Sequence, residues 1–285
     1  MTIRLILAPL TGGKRDALTL ASAFAAAEPL KAHVRALFVR PDPTEALPFF
    51  GDEVAPAMAN EIVDAAREAA DASSASAQAS LNAAAAAAEF EAVEQPAPGP
   101  SVSFFEMKGH FADCVARAGQ LADLIVFGPL REGDHPGLAE AFEASLLKSG
   151  SPILLGLDDE QRTFARIAIG WNASAASAHA VRAALPYLEK AKTVQVIVVQ
   201  GTGVAETDIE SVKSYLLAHG VDAEIVRTEL QSRSVGDALL ETAVSNKADL
   251  LVLGGYGHGR LREWLTGGVT RRILSQATLP LFLVH

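Results

Sequence analysis

Three segments of the first half of this chain return, in the same order, in the second. "IRLILAPLTGG" (3–13) and "ARIAIGWNASA" (165–175) are each a short β-branched and leucine run that ends in a turn and leads into an alanine-rich helical pattern. "LADLIVFGPL" (121–130) matches "KADLLVLGGY" (247–256), and "GSPILLGL" (150–157) matches "TLPLFLVH" (278–285), a proline before a closing apolar run. Self-similarity kept in order along a chain means a duplicated structural unit. The spacing also exposes an asymmetry. Pro9 and Gly170 are 161 positions apart but Gly128 and Gly254 only 126, so the first half holds roughly 35 additional residues between these landmarks. They fall between Gly51 and Pro100, where an Ala/Ser/Glu-rich stretch containing "NAAAAAAEF" ends in "QPAPGP". Alanine favours helix and the Pro/Gly cluster stops it, so the insertion reads as a long surface helix or a helical hairpin. The expected units are 1–157, with this insertion at about 51–100, and 162–285.

Within the second half, strand-like runs at Ile167–Gly170, Thr193–Val199, Ala223–Thr228, Leu250–Leu253 and Leu281–Val284 alternate with helical patterns at 174–190, 207–219, 235–246 and 268–277. Short, continuously apolar strands separated by helices predict a parallel sheet covered on both faces. The fold class is therefore α/β: two tandem five-stranded parallel-sheet domains of Rossmann-like type. The terminal strands Ile153–Leu155 and Leu281–Val284 would be apolar sheet edges, which invite pairing. Their mutual pairing predicts an internal pseudo-dimer, and leaves a homodimer open.

Composition removes several function classes. The net charge of −10 is wrong for a general nucleic-acid binder, which needs a basic face. No run of about 18 apolar residues exists to span a membrane, and "MTIRLILAPL" is broken too early to read as a secretory signal, so the expected location is cytoplasmic. Cys114 has no partner cysteine and reads as packed rather than reactive. The seven histidines are scattered without metal-ligand spacing.

The second half carries an unusual loop, "GGYGHGRLREWLTGGVT" (254–270), between a strand and a helical pattern. Ligands of such sheets bind at the carboxyl ends of the strands, and helix N-termini offer unpaired N–H groups that suit phosphate. Gly267 and Gly268 would let phosphate approach the backbone, with Thr270 and Arg260 or Arg262 adding polar contacts. A simple turn explains the same glycines equally well. Other motifs are weaker. "TGGKRD" (11–16) is similar to the S-G-G-x-D-S loop of pyrophosphate-releasing enzymes, but its Asp is one place late and the last Ser is missing. "GTGVAE" (201–206) lacks the third glycine of a dinucleotide loop.

The series Gly254-x2-Gly257-x9-Gly267, followed by a small residue and Val-Thr, together with the "ADLLVLG" lead-in and the closing proline strand, resembles the nucleotide-binding signature of the universal stress protein (UspA) family. The resemblance covers both halves and implies a tandem member with an adenine nucleotide alpha hydrolase-like fold. It implies ATP, with Mg²⁺, as a ligand of the second half. Gly170, Trp171 and Asn172 would end the first strand, with Asn172 at the place of the family's nucleoside-contacting Asp. Val199 would lie near the base, Leu253 and Gly254 would flank base and ribose, and Gly257, Gly267, Gly268, Val269 and Thr270 would surround the phosphates. Asn172 lacks the charge of Asp, and Gly268 stands where ATP-binding members carry Ser or Thr. In the first half Thr11 takes the Asp position and nothing after Gly128 reproduces the paired glycines, so that site is expected to be lost. Two readings follow: a binding or regulatory protein that holds an adenine nucleotide and is read by a protein partner, or a nucleotide-free scaffold of the same family. Neither requires more than slow ATP hydrolysis, since no catalytic base is visible near the loop.

Overall fold

The computed structural model describes residues 2–43, 56–130, 135–156, 164–230, 233–255 and 278–285. The glycine loop from 256 onward and the helical pattern at 268–277 lie outside them.

All the strands join one sheet in the order β3-β4-β2-β1-β5-β6-β11-β10-β7-β8-β9. The first half contributes β1 (Leu5–Leu10), β2 (His33–Arg40), the two-residue β3 (Glu91–Ala92), β4 (Ser101–Lys108), β5 (Leu124–Phe127) and β6 (Ile153–Leu155). The second contributes β7 (Arg166–Gly170), β8 (Thr193–Val199), β9 (Ala223–Thr228), β10 (Leu250–Gly254) and β11 (Leu281–Val284). Within each half every pairing is parallel, and β3 is an addition to the five expected strands. The halves meet where β6 and β11 pair antiparallel, with Leu154 opposite Phe282. The expected pairing of the terminal strands is therefore present. It makes the strands of one half run against those of the other, so the two sets of carboxyl ends open on opposite edges of the sheet.

Helices α1 (Asp16–Ala27), α2 (Pro56–Ala87), α5 (Ala175–Leu188) and α6 (Glu206–Ala218) cover one face. Helices α3 (Phe111–Gly119), α4 (Pro136–Lys148) and α7 (Val235–Ser245) cover the other. The insertion is one unbroken helix, and it is not merely a surface element. Ala70, Ser74, Ala77, Leu81 and Ala85 form a buried stripe at helical spacing, so α2 serves as the crossover between β2 and β4. Salt bridges from Arg40 to Asp71 and Glu106 fasten it at the strand ends. Cys114 is buried, as expected.

The repeated "AD" before β5 and β10 has a structural reason. Asp123 accepts hydrogen bonds from the Arg4 and Leu5 amides at 2.8 and 2.9 Å. Asp249 does the same for Arg166 and Ala165 at 2.7 and 3.2 Å. In each half this carboxylate satisfies the free amides at the start of the first strand and fixes its register against the fourth.

Candidate functional site

In the second half the connections leave β7 in opposite directions, through α5 to β8 on one side and with β10 on the other, which makes β7/β10 the topological switch point. A crevice opens there. Gly170, Trp171 and Asn172 reach it from the end of β7, Val199 and Thr202 from β8, Leu253 and Gly254 from β10, and Val235 and Leu239 from α7. All six predicted residues within the described chain are thus brought together from three strands. Gly257, Gly267, Gly268, Val269 and Thr270 lie outside the described residues. Thr202, Val235 and Leu239 were not anticipated. Val235 and Leu239 sit on a helix whose orientation only packing decides, and the sole hint was the apolar periodicity of α7.

The backbone geometry explains Gly254 without a ligand, whereas Gly170 faces only side-chain ends. A Cβ on Gly254 would lie 2.3 Å from the Ala176 carbonyl carbon and the Ser177 amide nitrogen. A Cβ on Gly170 would lie 2.6 Å from Leu253 Cδ2. Gly254 is therefore required by the close approach of the first turn of α5, and not by a left-handed turn. By contrast, Gly201 and Gly203 of the "GTGVAE" loop have φ of +82° and +81° with nothing near a Cβ, so they are turn residues.

Asn172 organises the start of α5. Its Oδ1 accepts from the Ser174 amide at 3.2 Å and the Ser174 hydroxyl at 2.7 Å, while Ser174 Oγ caps the helix by accepting from Ser177 N at 3.1 Å. A backbone N–H can only donate, so the amide orientation is fixed and Asn172 presents N–H groups as its remaining polar surface. Ala173 pays for this turn with φ +58°. Trp171 is half-buried, packs on the core under α5 and lines the crevice. Its indole nitrogen is buried without a hydrogen-bond partner. Val199, Leu239 and Leu253 supply apolar walls, and no side chain lining the described crevice titrates. The described lining is thus apolar, with the Asn172 amide as a hydrogen-bond donor at its edge.

The equivalent crevice of the first half, between β1 and β5, is lined by Pro9, Thr11, Asp16, Thr19, Gly128 and Leu138 and differs in its polar groups. The Asp16 carboxylate, 3% exposed, accepts from Thr11 N at 2.9 Å, Thr11 Oγ1 at 3.1 Å and Gly12 N at 2.8 Å. Burial raises its pKa, and the Thr11 and Gly12 amides act against that rise. The Asp of "TGGKRD" is thus the anchor of this turn. Gly12, at φ +78°, has the Ser73 carbonyl oxygen 2.4 Å from any Cβ, so α2 lies directly over the loop. Thr19 Oγ1 accepts from Gly128 N at 3.2 Å. At the N-terminus of α4, His135 Nδ1 accepts from Gly137 N at 3.2 Å, and burial lowers the His135 pKa while Asp16 opposes the shift. Among the described residues, the Thr11, Gly12, Gly128 and Gly137 amides are thus bonded internally. Among the described residues, no group of three His, Cys, Asp or Glu side chains could hold a metal ion, and no helix is long and apolar enough to cross a membrane.

Residues 163–285 match the family model of the universal stress protein family. No curated protein is similar enough in sequence to count as a match. Among solved structures, a universal stress protein from Archaeoglobus fulgidus is 15% identical, with 99% of this chain and 96% of that one aligned at a TM-score of 0.69. A functionally unknown protein from Pseudomonas aeruginosa is 17% identical over 99% of this chain and 92% of its own, with a TM-score of 0.56. These two share the tandem fold along the whole length.

Proposed function

Residues 163–285 being a universal stress protein domain, we propose that this tandem protein is a binding and regulatory protein whose C-terminal crevice holds an adenine nucleotide, ATP with Mg²⁺. The units would be 1–157 and 162–285, with the first acting as a structural or regulatory partner without a nucleotide site of its own. One observation carries the reading: Gly170, Trp171, Asn172, Val199, Leu253 and Gly254, separated by up to 84 positions, converge on one crevice at the switch point of the second sheet. The walls suit a base and the N–H groups of Trp171 and Asn172 suit acceptors on a nucleoside. The described lining offers no carboxylate, and Mg²⁺ would arrive on the phosphates. With no titratable side chain among the described lining residues, hydrolysis would be slow or absent.

A second reading, a nucleotide-free scaffold acting through protein partners, draws on the commitment of the Asn172 carbonyl oxygen to Ser174. Calorimetry of nucleotide-stripped protein with Mg·ATP separates the two. One site per chain, weakened in Val199→Phe, which would crowd the crevice, is the expected result. No heat, together with no thermal shift at saturating ATP, would leave the scaffold reading.

A further inference from the structure

Three buried side-chain polar atoms among the described residues have no hydrogen-bond partner: Ser145 Oγ, Arg233 Nε and Trp171 Nε1. Arg233 is otherwise held by Glu241 and by the Glu229 carbonyl, and Ser145 lies in α4 of the other half. Trp171 alone lines the C-terminal crevice. A buried N–H without an acceptor costs about 1–3 kcal/mol, because it has given up water for nothing. Phenylalanine would fill the same space without that cost, so the indole nitrogen calls for a reason beyond packing.

We propose that the Trp171 indole N–H, shut off in the ligand-free protein, is a ligand-positioning donor, completed when the side chain turns into the crevice and a bound nucleotide places an acceptor of its base or sugar against Nε1. This rests on the nucleotide reading above. Trp171 and Asn172 are adjacent in the chain, and Asn172 Oδ1 is already engaged by Ser174. The two side chains therefore confront the nucleoside with donors, where a carboxylate at position 172 would confront it with an acceptor. Selection at this end of the crevice is for acceptor atoms on the ligand. The nucleoside is held by neutral hydrogen bonds and not by charge.

The test is Trp171→Phe, read in two ways. The ligand-free variant should be as heat-stable as the parent or more so, since it loses an unpartnered polar group, while its Mg·ATP affinity falls about 5- to 10-fold. A purely structural tryptophan would give the reverse, a less stable protein with unchanged affinity, and that result overturns the proposal. A measurement on the unsubstituted side chain guards against a misfolded variant. In ¹⁵N-tryptophan protein carrying Trp264→Phe, the remaining indole N–H signal should move downfield on saturation with Mg·ATP. If ATP binds and that signal stays in place, the donor role is wrong and the nucleotide reading survives. If the parent protein binds no nucleotide, both fall.

Discussion

The phenol of Tyr187, at the end of α5, donates a 2.9 Å hydrogen bond to the carbonyl of Ala26, at the end of α1. The last carbonyls of a helix have no intrahelical partner, so the second half supplies what the first half's helix lacks. Tyr187 is buried between Phe164 and Phe282, with ring centroids 5.6 and 6.2 Å away, and burial holds its hydroxyl neutral by raising the pKa. Together with the β6–β11 pairing, this makes the junction a continuous core rather than a contact between two finished domains. Tyr187→Phe should cost about 1–2 kcal/mol in urea unfolding, by leaving the Ala26 carbonyl unpaired. Tyr187→Ala should cost about 3–5 kcal/mol and begin to separate the unfolding of the halves into two transitions.

Gly254→Ala would place a methyl group against the backbone of Ala176 and Ser177. Neither can rotate away, so α5 must shift, at a cost of about 1–3 kcal/mol in thermal or urea unfolding. Because α5 begins at the crevice, the same variant should weaken nucleotide binding. An unchanged stability would show that the approach is looser than described.

Ala173 occupies a left-handed conformation, and the corresponding position of the first half, Gly12, is a glycine. Ala173→Gly should therefore stabilise the protein by about 0.5–1 kcal/mol, as strain at the Cβ is relieved by more than the unfolded chain gains in freedom. Denaturant midpoints of the variant and its parent give the answer. Destabilisation would mean that the Asn172–Ser174 turn depends on the alanine.

His33 carries the clearest pH signature. It is buried between two serines, with Nδ1 2.8 Å from Ser101 Oγ and Nε2 2.9 Å from Ser103 Oγ. Ser101 Oγ also lies 3.2 Å from the carbonyls of Ala97 and Gly99, to which it can donate, so it accepts from Nδ1–H while Nε2 accepts from Ser103. Burial first, and then the Arg35 charge, lower the His33 pKa from 6.5 to about 4. Between those values the unfolded chain binds more protons than the folded one, so stability rises with pH across this window. Its contribution is complete above the unfolded pKa and is lost as pH falls towards 4, amounting to at most about 3 kcal/mol. His33→Gln should flatten the stability profile over that range. A profile with the same slope in the variant would place the titrating group elsewhere.

The fold was largely legible because its signals are local and repeated. Strand runs such as Thr193–Val199 and helices such as Val235–Ser245 follow from apolar periodicity and from Gly and Pro punctuation, and the duplicated segments impose two sets of parallel strands. The "AD" pair repeats because each Asp caps the first strand of its own half. The crevice was half legible. Residues at strand ends could be placed from motif spacing, whereas Leu239 enters only through the packing angle of α7. Asp16 looked like an incomplete motif, because a carboxylate bonding back to its own loop cannot be told in sequence from one awaiting a ligand.

What the sequence determined by itself is therefore the duplication, the α/β alternation and the strand ends where a ligand would sit, since each depends on neighbours close along the chain. The tertiary structure alone decided that Gly254 is a glycine for the sake of α5, that Asp16 bonds back to Thr11 and Gly12 in the crevice of the first half, and that Trp171 buries an N–H without an acceptor. These are facts about which groups meet across tens to hundreds of residues. Hydrogen bonding and close packing act over a few ångströms of space, and only the folded chain sets those distances.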